Sequence, residues 1–125
     1  MTTTLCPFCN ITDDEVILKN SLAFVRYDKF PVNKGHTLII PYRHVPSYFD
    51  LTVDESRAIN ELILDAKKLI ENEYKPNGYN LGTNIGVAAG QTVMHVHTHL
   101  IPRYNNDVNE PRGGVRGVIP EKKIY

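Results

Sequence analysis

The sequence predicts one α+β domain in which an antiparallel sheet carries a single long helix. Three observations lead to this fold class: two apolar runs joined by a turn, a segment with helical spacing, and two further strand-like runs. The resulting order, β-β-α-β-β, places strands beside each other through short connections, which favours antiparallel pairing. A chain of 125 residues suits one compact domain, so we expect residues 1–125 to form a single unit.

The first two predicted strands are "SLAFVRYD", residues 21–28, and "HTLIIP", residues 36–41. Both are rich in apolar and β-branched residues, which are typical of strands. The connecting segment "KFPVNKG" contains Pro31, Asn33 and Gly35, which favour turns. We therefore predict a β-hairpin.

The helix is predicted over residues 51–74, where apolar side chains recur at intervals of three and four. Thr52 and Glu55 have the spacing of a capping box, and the sequence Pro76-Asn77-Gly78 stops the helix. Its apolar stripe indicates one face packed on the sheet. The stripe consists of Ile59, Leu62, Ile63, Ala66, Leu69 and Ile70.

Two more strands are predicted, "YNLGTNIG" at residues 79–86 and "TVMHVHTHLIP" at residues 92–102. The loop between them, "VAAGQ", consists mostly of small residues, which allow backbone to approach a ligand closely. From residue 103 to residue 125 the chain forms a polar tail rich in glycine and arginine.

The overall composition excludes several classes of protein. Fourteen basic residues balance fourteen acidic ones, so no net field attracts nucleic acid or an anionic membrane surface. No apolar run approaches the roughly 20 residues of a membrane span, and the N-terminus does not resemble a signal peptide. We expect a cytoplasmic protein, in which Cys6 and Cys9, spaced as Cys-x-x-Cys, indicate a metal knuckle or a redox pair.

Three histidines, His95, His97 and His99, occupy every second position before Arg103. This alternation predicts a strand with all three rings on one face, about 6.6 to 6.8 Å apart along the chain. A histidine on a strand can attack phosphorus when a fixed acceptor holds one ring nitrogen protonated and leaves the other lone pair exposed. The middle ring, His97, is the best placed to do so.

Phosphoryl or nucleotidyl transfer also needs donors for the phosphate oxygens and a proton for the departing group. Four residues in or shortly before the histidine segment carry suitable groups. They are His99, Gln91, Thr92 and Asn84.

Two segments, "GQTVMHVHTHLIPR" and "GHTLIIPYRH", resemble the signature blocks of the histidine triad family of nucleotide hydrolases and transferases. The resemblance extends from the Cys-x-x-Cys motif to Arg103. It departs at Thr98, where the family pattern has an apolar residue; because Thr98 points away from the rings, we expect this change to affect packing more than chemistry.

The resemblance implies a role for each site residue. His97 matches the nucleophile that forms a covalent nucleotidyl-histidine intermediate, and its ring is oriented by the backbone carbonyl of His95. His36 matches a histidine that supports the site without contacting substrate. Contacts to the phosphate and the leaving group are implied for His99, Asn84, Gln91 and Thr92.

The nucleoside is expected to bind through its sugar and, weakly, through its base. Asp28 matches the ribose-binding position, where a carboxylate accepts from both hydroxyls of the sugar. An apolar base pocket is expected from Leu22, Phe24 and Ile40.

Some prokaryotic members of the family bind zinc through two cysteines and two histidines, which implies Cys6, Cys9, His44 and His95 as tetrahedral ligands. The alternative is a pair of free thiols near the terminus. No organic cofactor is implied.

The resemblance thus implies a hydrolase that acts on a purine nucleotide, for example a dinucleoside polyphosphate, at the α-phosphate. It also implies a homodimer, in which the tail residues Arg112, Gly113, Gly114 and Arg116 either lie across the partner subunit or form a solvated end. A non-catalytic nucleotide-binding regulatory or scaffold protein of the same fold is the main alternative.

Two other functions fit the residues less well. Three histidines at successive same-face positions of one strand lie too far apart to bind one catalytic zinc ion. Nucleic-acid deadenylation is not supported, because the sequence shows no basic extension that would bind the polymer.

Overall fold

The computed structural model describes residues 5–125 and contains a five-stranded antiparallel sheet with one long helix. The strands follow the order β1-β2-β3-β5-β4 across the sheet, so the predicted fold class is confirmed. The short edge strand β1 is an addition that sequence analysis did not predict. The elements are β1 (Leu18–Lys19), β2 (Ala23–Tyr27), β3 (Thr37–Pro41), α1 (Val53–Tyr74), β4 (Gly78–Gly82) and β5 (Thr98–Arg103).

The predicted hairpin is the β2–β3 pair, whose register aligns Tyr27 with Thr37 and Ala23 with Pro41. Gly35, in its turn, has a φ of 88°, which L side chains rarely adopt. A Cβ atom there would also lie 3.0 Å from the ring of Tyr74. Glycine is therefore required where the turn meets the end of α1.

Helix α1 begins at the predicted capping box. The hydroxyl of Thr52 accepts from the backbone N–H of Glu55 at 3.0 Å, and the Glu55 carboxylate accepts from the backbone N–H of Thr52 at 2.9 Å. After Tyr74 the chain leaves the helix through Lys75, which adopts a left-handed conformation. The apolar face of the helix packs on one face of the sheet, and together they form the core of Ala23, Val25, Ile39, Ile59, Leu62, Ala66, Ile70 and Leu100.

The opposite face of the sheet is only partly covered. The N-terminal segment packs over Phe24, Leu38 and Ile40 with Cys6 and Phe8. The rest of this face remains open, and the histidines border it.

The prediction of one strand over residues 92–102 is wrong in its extent. Strand β5 begins at Thr98, so His95 and His97 lie in an irregular segment before it. The β3–β5 ladder aligns Ile39 with Thr98 and does not extend further, and β3 ends at Pro41, which has no N–H for a ladder. The backbone N–H of Val96 instead donates to Val45 at 2.9 Å.

Thr98 stands where the family pattern has an apolar residue, and it lies inside the sheet. Thr98 is buried, and its hydroxyl lies 2.7 Å from the hydroxyl of Thr83 on the neighbouring segment. This hydrogen bond satisfies a polar group inside the sheet.

The tail folds back beside β4 in two short 3-10 turns, Gly114–Val118 and Pro120–Lys122. The Arg116 guanidinium donates to the carbonyl of Lys122 and lies 4.2 Å from the centre of the Tyr125 ring. Arg103 lies in β5 and not in the tail, and it forms a bidentate pair with Asp107.

Across residues 5–125, the structure contains no helix with the length and apolar character needed to cross a membrane.

Glu55 should make the stability of the fold depend on acid pH. Its carboxylate is buried and accepts two hydrogen bonds from Arg43, at 3.0 and 2.8 Å, which lower the pKa of Glu55 from 4.5 to about 2. A carboxyl group with a lowered pKa stabilises the fold above its usual pKa, and the stabilisation disappears as the pH falls toward 2. Glu55→Gln should keep the cap but lose the charge, and should lower the free energy of unfolding at pH 7 by about 1–2 kcal/mol.

Urea unfolding between pH 7 and pH 2 measures this effect. The decline in stability below pH 5 should be shallower in Glu55→Gln than in the wild type. Glu61→Gln, which changes an exposed carboxylate on the same helix, is the control and should follow the wild-type curve. Equal pH profiles for Glu55→Gln and the wild type would show that the Arg43 pair has no such role.

Candidate active site

A cleft of about 510 Å³ lies on the face of the sheet opposite α1. Its walls come from β2, β3, the turn between them, the loop before β5 and the N-terminal segment. Most of the polar residues predicted for the site line this one cleft. They are Asp28, His36, Asn84, Thr92, His97 and His99.

The ring of His97 is held by its own backbone. Its Nδ1 lies 2.8 Å from the carbonyl oxygen of His95, and because a carbonyl can only accept, Nδ1 carries the proton. The other nitrogen, Nε2, therefore keeps its lone pair. Phe8 packs against the ring with centroids 5.0 Å apart, so the side chain is fixed as well as oriented. This is the state that a nucleophilic histidine requires.

A chain of hydrogen bonds sets the proton position of His99. The backbone N–H of Val32 donates to Nδ1 of His36 at 3.0 Å, so the proton of neutral His36 is on Nε2. That Nε2 lies 2.9 Å from Nδ1 of His99 and donates to it. Neutral His99 therefore carries its own proton on Nε2, the nitrogen not used by His36.

Burial keeps His99 neutral at physiological pH. It lowers the pKa of His99 to about 4, and the nearby rings of His97 and His36 act in the same direction, while Asp28 opposes them. Burial also lowers the pKa of His36, again opposed by Asp28. His99 is consequently a neutral hydrogen-bond donor, 5.2 Å from His97 between ring centroids.

Asp28 lies next to this histidine pair. Its Oδ2 is 3.4 Å from Nε2 of His36 and 3.9 Å from Nδ1 of His99, and its Oδ1 accepts from the backbone N–H of Phe30 at 2.8 Å. These three side chains are close enough to share a metal ion. However, Nε2 of His36 carries the proton that it donates to His99, so this group is better described as a hydrogen-bonded pair with an adjacent carboxylate.

Gln91 does not face the cleft, unlike Asn84 and Thr92. Its side chain is 5% exposed and is engaged by the loop: Oε1 accepts from the backbone N–H of Gly86, and Nε2 donates to the carbonyls of Pro46 and Val93. The structure therefore assigns the Gln91 side chain to holding the loop, where sequence analysis expected a phosphate contact.

The three residues predicted for the base pocket do not line this cleft. Phe24 and Ile40 lie on the correct face of the sheet but are covered by Cys6 and Phe8, and Leu22 is half-buried outside the cleft. The apolar lining of the cleft comes from Phe8, Leu38 and Val93, with Phe30 and Val32 at the turn.

Sequence analysis also missed Arg26, a buried residue that lines the cleft. Its position two residues before Asp28, at strand spacing, is a signal that it shares the face of the sheet with that carboxylate.

The four predicted zinc ligands converge beneath the cleft. The Sγ atom of Cys6 lies 3.4 Å from Nδ1 of His95, and Sγ of Cys9 lies 3.3 Å from Nδ1 of His44 and 3.5 Å from Nδ1 of His95. The two Nδ1 atoms are 3.2 Å apart. A zinc tetrahedron with ordinary bond lengths has edges of about 3.5 Å between sulfur and nitrogen and about 3.3 Å between nitrogens, so the donors present fit the ion.

His95 also has the proton arrangement of a zinc ligand. Its Nε2 lies 2.7 Å from the carbonyl oxygen of Pro41, which places the proton there and directs the Nδ1 lone pair toward the thiols. Of the three alternating histidines, His95 therefore turns away from the other two.

A family model described as "HIT domain" matches residues 10–106 of this chain. Among curated proteins, an AP-4-A phosphorylase of Mycobacterium tuberculosis is 35% identical over 109 residues, which cover 82% of this chain and 56% of the relative. An uncharacterized HIT-like protein of Methanocaldococcus jannaschii is 40% identical over 82% of each chain. An asymmetrical bis(5'-nucleosyl)-tetraphosphatase of Schizosaccharomyces pombe is 41% identical over 74% of this chain and 50% of the relative.

The chain thus spans about half the length of the two relatives named for an activity. Among solved structures, a HIT family protein of Bacillus anthracis superposes with a TM-score of 0.78 at 37% identity, covering 85% of this chain and 78% of the other. A zinc-bound histidine triad family protein of Mycobacterium smegmatis superposes with a TM-score of 0.76 at 28% identity, covering 85% and 80%.

Proposed function

Because the chain belongs to the HIT domain family, we propose that it is a nucleotide hydrolase that cleaves a nucleoside phosphoanhydride or phosphoramidate at the α-phosphate. The observation that carries this proposal is the cleft in which the lone pair of His97 Nε2 and the Nε2 proton of His99 lie on neighbouring rings. Related proteins named for the cleavage of dinucleoside polyphosphates support a substrate such as a diadenosine polyphosphate.

In the proposed reaction, Nε2 of His97 attacks the α-phosphorus. A phosphorus–nitrogen bond forms, and the bond to the leaving oxygen breaks with its electron pair remaining on the departing phosphate. Water then attacks the same phosphorus, the phosphorus–nitrogen bond breaks, and the lone pair returns to Nε2. The oxygen of the water and one of its hydrogens become a hydroxyl of the mononucleotide phosphate, and the other hydrogen is released as a proton.

The surrounding donors stabilise the charge that develops on the phosphate. His99 offers its Nε2 proton without carrying a charge of its own, and Asn84 and Thr92 line the cleft as further donors. The carbonyl of His95 stabilises the His97 ring as it becomes cationic, because it accepts from Nδ1 throughout. Water and phosphate are both candidate acceptors, since one relative is named a phosphorylase.

Product analysis with diadenosine tetraphosphate separates these reactions. Hydrolysis at the α-phosphate gives AMP and ATP, whereas phosphorolysis with inorganic phosphate gives ADP and ATP. We expect AMP and ATP, with one oxygen of AMP derived from labelled water. Accumulation of ADP only when phosphate is present would show that the enzyme is a phosphorylase and not a hydrolase. Nucleotide binding without any turnover would favour the non-catalytic alternative.

The sugar is proposed to bind at Asp28. Asp28→Ala should weaken ribonucleotide binding by about 1.5 to 3 kcal/mol, because a charge-assisted pair of hydrogen bonds is lost. The preference for ribonucleotides over 2'-deoxy analogues should shrink with it. Calorimetric titration of both nucleotides measures the difference, and Asp65→Ala, an exposed carboxylate of α1, is the control. Unchanged discrimination in Asp28→Ala would remove this residue from the sugar site.

We also propose that Cys6, Cys9, His44 and His95 hold a structural zinc ion, a role supported by the distances among their donor atoms. The ion would link the N-terminal segment and the segment after β3 to the backbone that carries His97. Its chemistry is structural: four protein ligands close its coordination sphere.

The protein is further proposed to form a homodimer. Strand β4 is an edge strand, and exposed Leu81, Val115 and Val118 lie around a second cleft beside it. Sedimentation at several protein concentrations measures the mass in solution. A monomer at all concentrations would contradict this proposal.

A further inference from the structure

Arg26 is a buried charge in the wall of the cleft. Its side chain is 7% exposed, with Nη1 3.1 Å from a carboxylate oxygen of Glu15 and Nε donating to the carbonyl of Tyr27 at 3.1 Å. Its Nη2 group donates to none of the residues 5–125. A guanidinium that is buried, ion-paired and still has donor capacity facing a cavity is equipped to bind a ligand.

The strand register places Arg26 in line with His99. Arg26 pairs with Leu38, and Leu38 pairs with His99, so the three side chains share one face of the sheet. Two strand spacings separate Arg26 from His99, which is about 9.6 Å between backbones. Asp28 comes two residues after Arg26, just past the end of β2, and lines the same cleft.

This placement matches the parts of a nucleotide. With the α-phosphate at His97 and His99 and the sugar at Asp28, the base would extend over Leu38 toward the guanidinium. Leu38 and Arg26 both line this part of the cleft, so the flat face of the base would lie on an apolar side chain and its edge would face Arg26. The base end of the cleft is therefore charged as well as apolar, unlike the purely apolar pocket implied by the family resemblance.

We propose that Arg26 reads the base and gives the enzyme a preference for guanine over adenine nucleotides. This inference rests on the proposed nucleotide function. Guanine presents two acceptors, O6 and N7, which match the two-pronged guanidinium, whereas adenine presents one acceptor and an amino group that opposes it. The carboxylate of Glu15 holds the guanidinium in place, so its donors are fixed before the base arrives.

Arg26 also ties the N-terminal segment to the sheet, and a purely structural role would affect both bases alike. Lys29 offers a matched comparison, because it pairs with the same Glu15 oxygen at 3.5 Å but is 65% exposed. Replacing Lys29 with a neutral residue removes one positive charge that pairs with Glu15, as replacing Arg26 does, but leaves the buried guanidinium in place.

The test is calorimetric titration of the purified full chain with GMP, IMP and AMP. In the wild type, GMP and IMP, which share O6 and N7, should bind about fivefold or more tightly than AMP. Arg26→Met should bring the three affinities within about twofold of each other, mainly by weakening GMP and IMP. Lys29→Met should keep the wild-type ratio.

Arg26→Lys retains the charge but not the fork, so it should fold and still lose most of the discrimination. Equal binding of GMP and AMP by the wild type, or an unchanged ratio in Arg26→Lys, would overturn the base-reading role while leaving the proposed hydrolase intact. No binding of any of the three nucleotides would overturn the proposed function together with this inference.

Discussion

Replacing His97 with alanine should reduce turnover by a factor on the order of 10⁴ or more, because the reaction loses the atom that bonds to phosphorus. The effect should fall on kcat, since the nucleophile is needed only as the transition state forms. Nucleotide binding should remain measurable, because His99, Asp28 and Asn84 still line the cleft. Single-turnover kinetics with a dinucleoside tetraphosphate, together with product titration, measure the two quantities separately.

His97→Asn is the companion variant, since it keeps a polar side chain and cannot form the intermediate. Both variants should melt near the wild-type temperature, which the melting curves will check. Full activity in either variant would end the covalent mechanism. A large loss of binding with kcat retained would instead assign His97 to substrate recognition.

Loss of the proposed zinc should be the largest effect on stability. Cys6→Ser should lower the melting temperature by about 10 °C or more, because the binding free energy of a structural zinc ion contributes directly to folding. A strong chelator should do the same to the wild type and should have little further effect on Cys6→Ser. Elemental analysis should find about one zinc ion per chain, as expected for one four-ligand site.

The Cys6→Ser substitution should affect turnover less than it affects the stability of the fold. At low temperature, where Cys6→Ser remains folded, its residual turnover should stay far closer to the wild type than that of His97→Ala. Carefully prepared protein without zinc would contradict this proposal. So would a Cys6→Ser variant that is as stable as the wild type but inactive.

Local rules predicted the parts of the fold that depend on local chemistry. The capping box of Thr52 and Glu55 and the turn at Gly35 occur where the spacing and turn residues place them. The edge strand β1 was missed because two residues, Leu18 and Lys19, are too short to show alternation.

The histidine segment shows where a local rule fails. Alternation predicted three rings on one face of one strand, but β5 begins only at Thr98. His95 faces Cys6 and Cys9, while His97 and His99 border the cleft. The division depends on contacts between distant parts of the chain, Pro41 and Val45 with residues 95–96, which no periodicity reveals.

The burial of Phe24 and Ile40, both predicted for the base pocket, has a tertiary cause that the sequence does not reveal. Phe24 and Ile40 lie on the face of the sheet that carries the cleft. However, Phe8 of the N-terminal segment packs over them, so they are buried. Gln91 has the right spacing, but its amide is engaged by Pro46, which is 45 residues away in sequence. Strand spacing identifies the face on which a side chain lies, whereas its exposure depends on how remote segments pack.

The proposed mechanism requires that His97 becomes covalently bonded to the nucleotide. Intact mass and peptide mapping of wild-type enzyme, mixed with a dinucleoside tetraphosphate and quenched in alkali within milliseconds, test it directly. We expect a mass increase of one nucleotidyl group, located on His97 and absent from His97→Ala. Turnover at the full rate with no such adduct at any quench time, or an adduct on another residue, would contradict it.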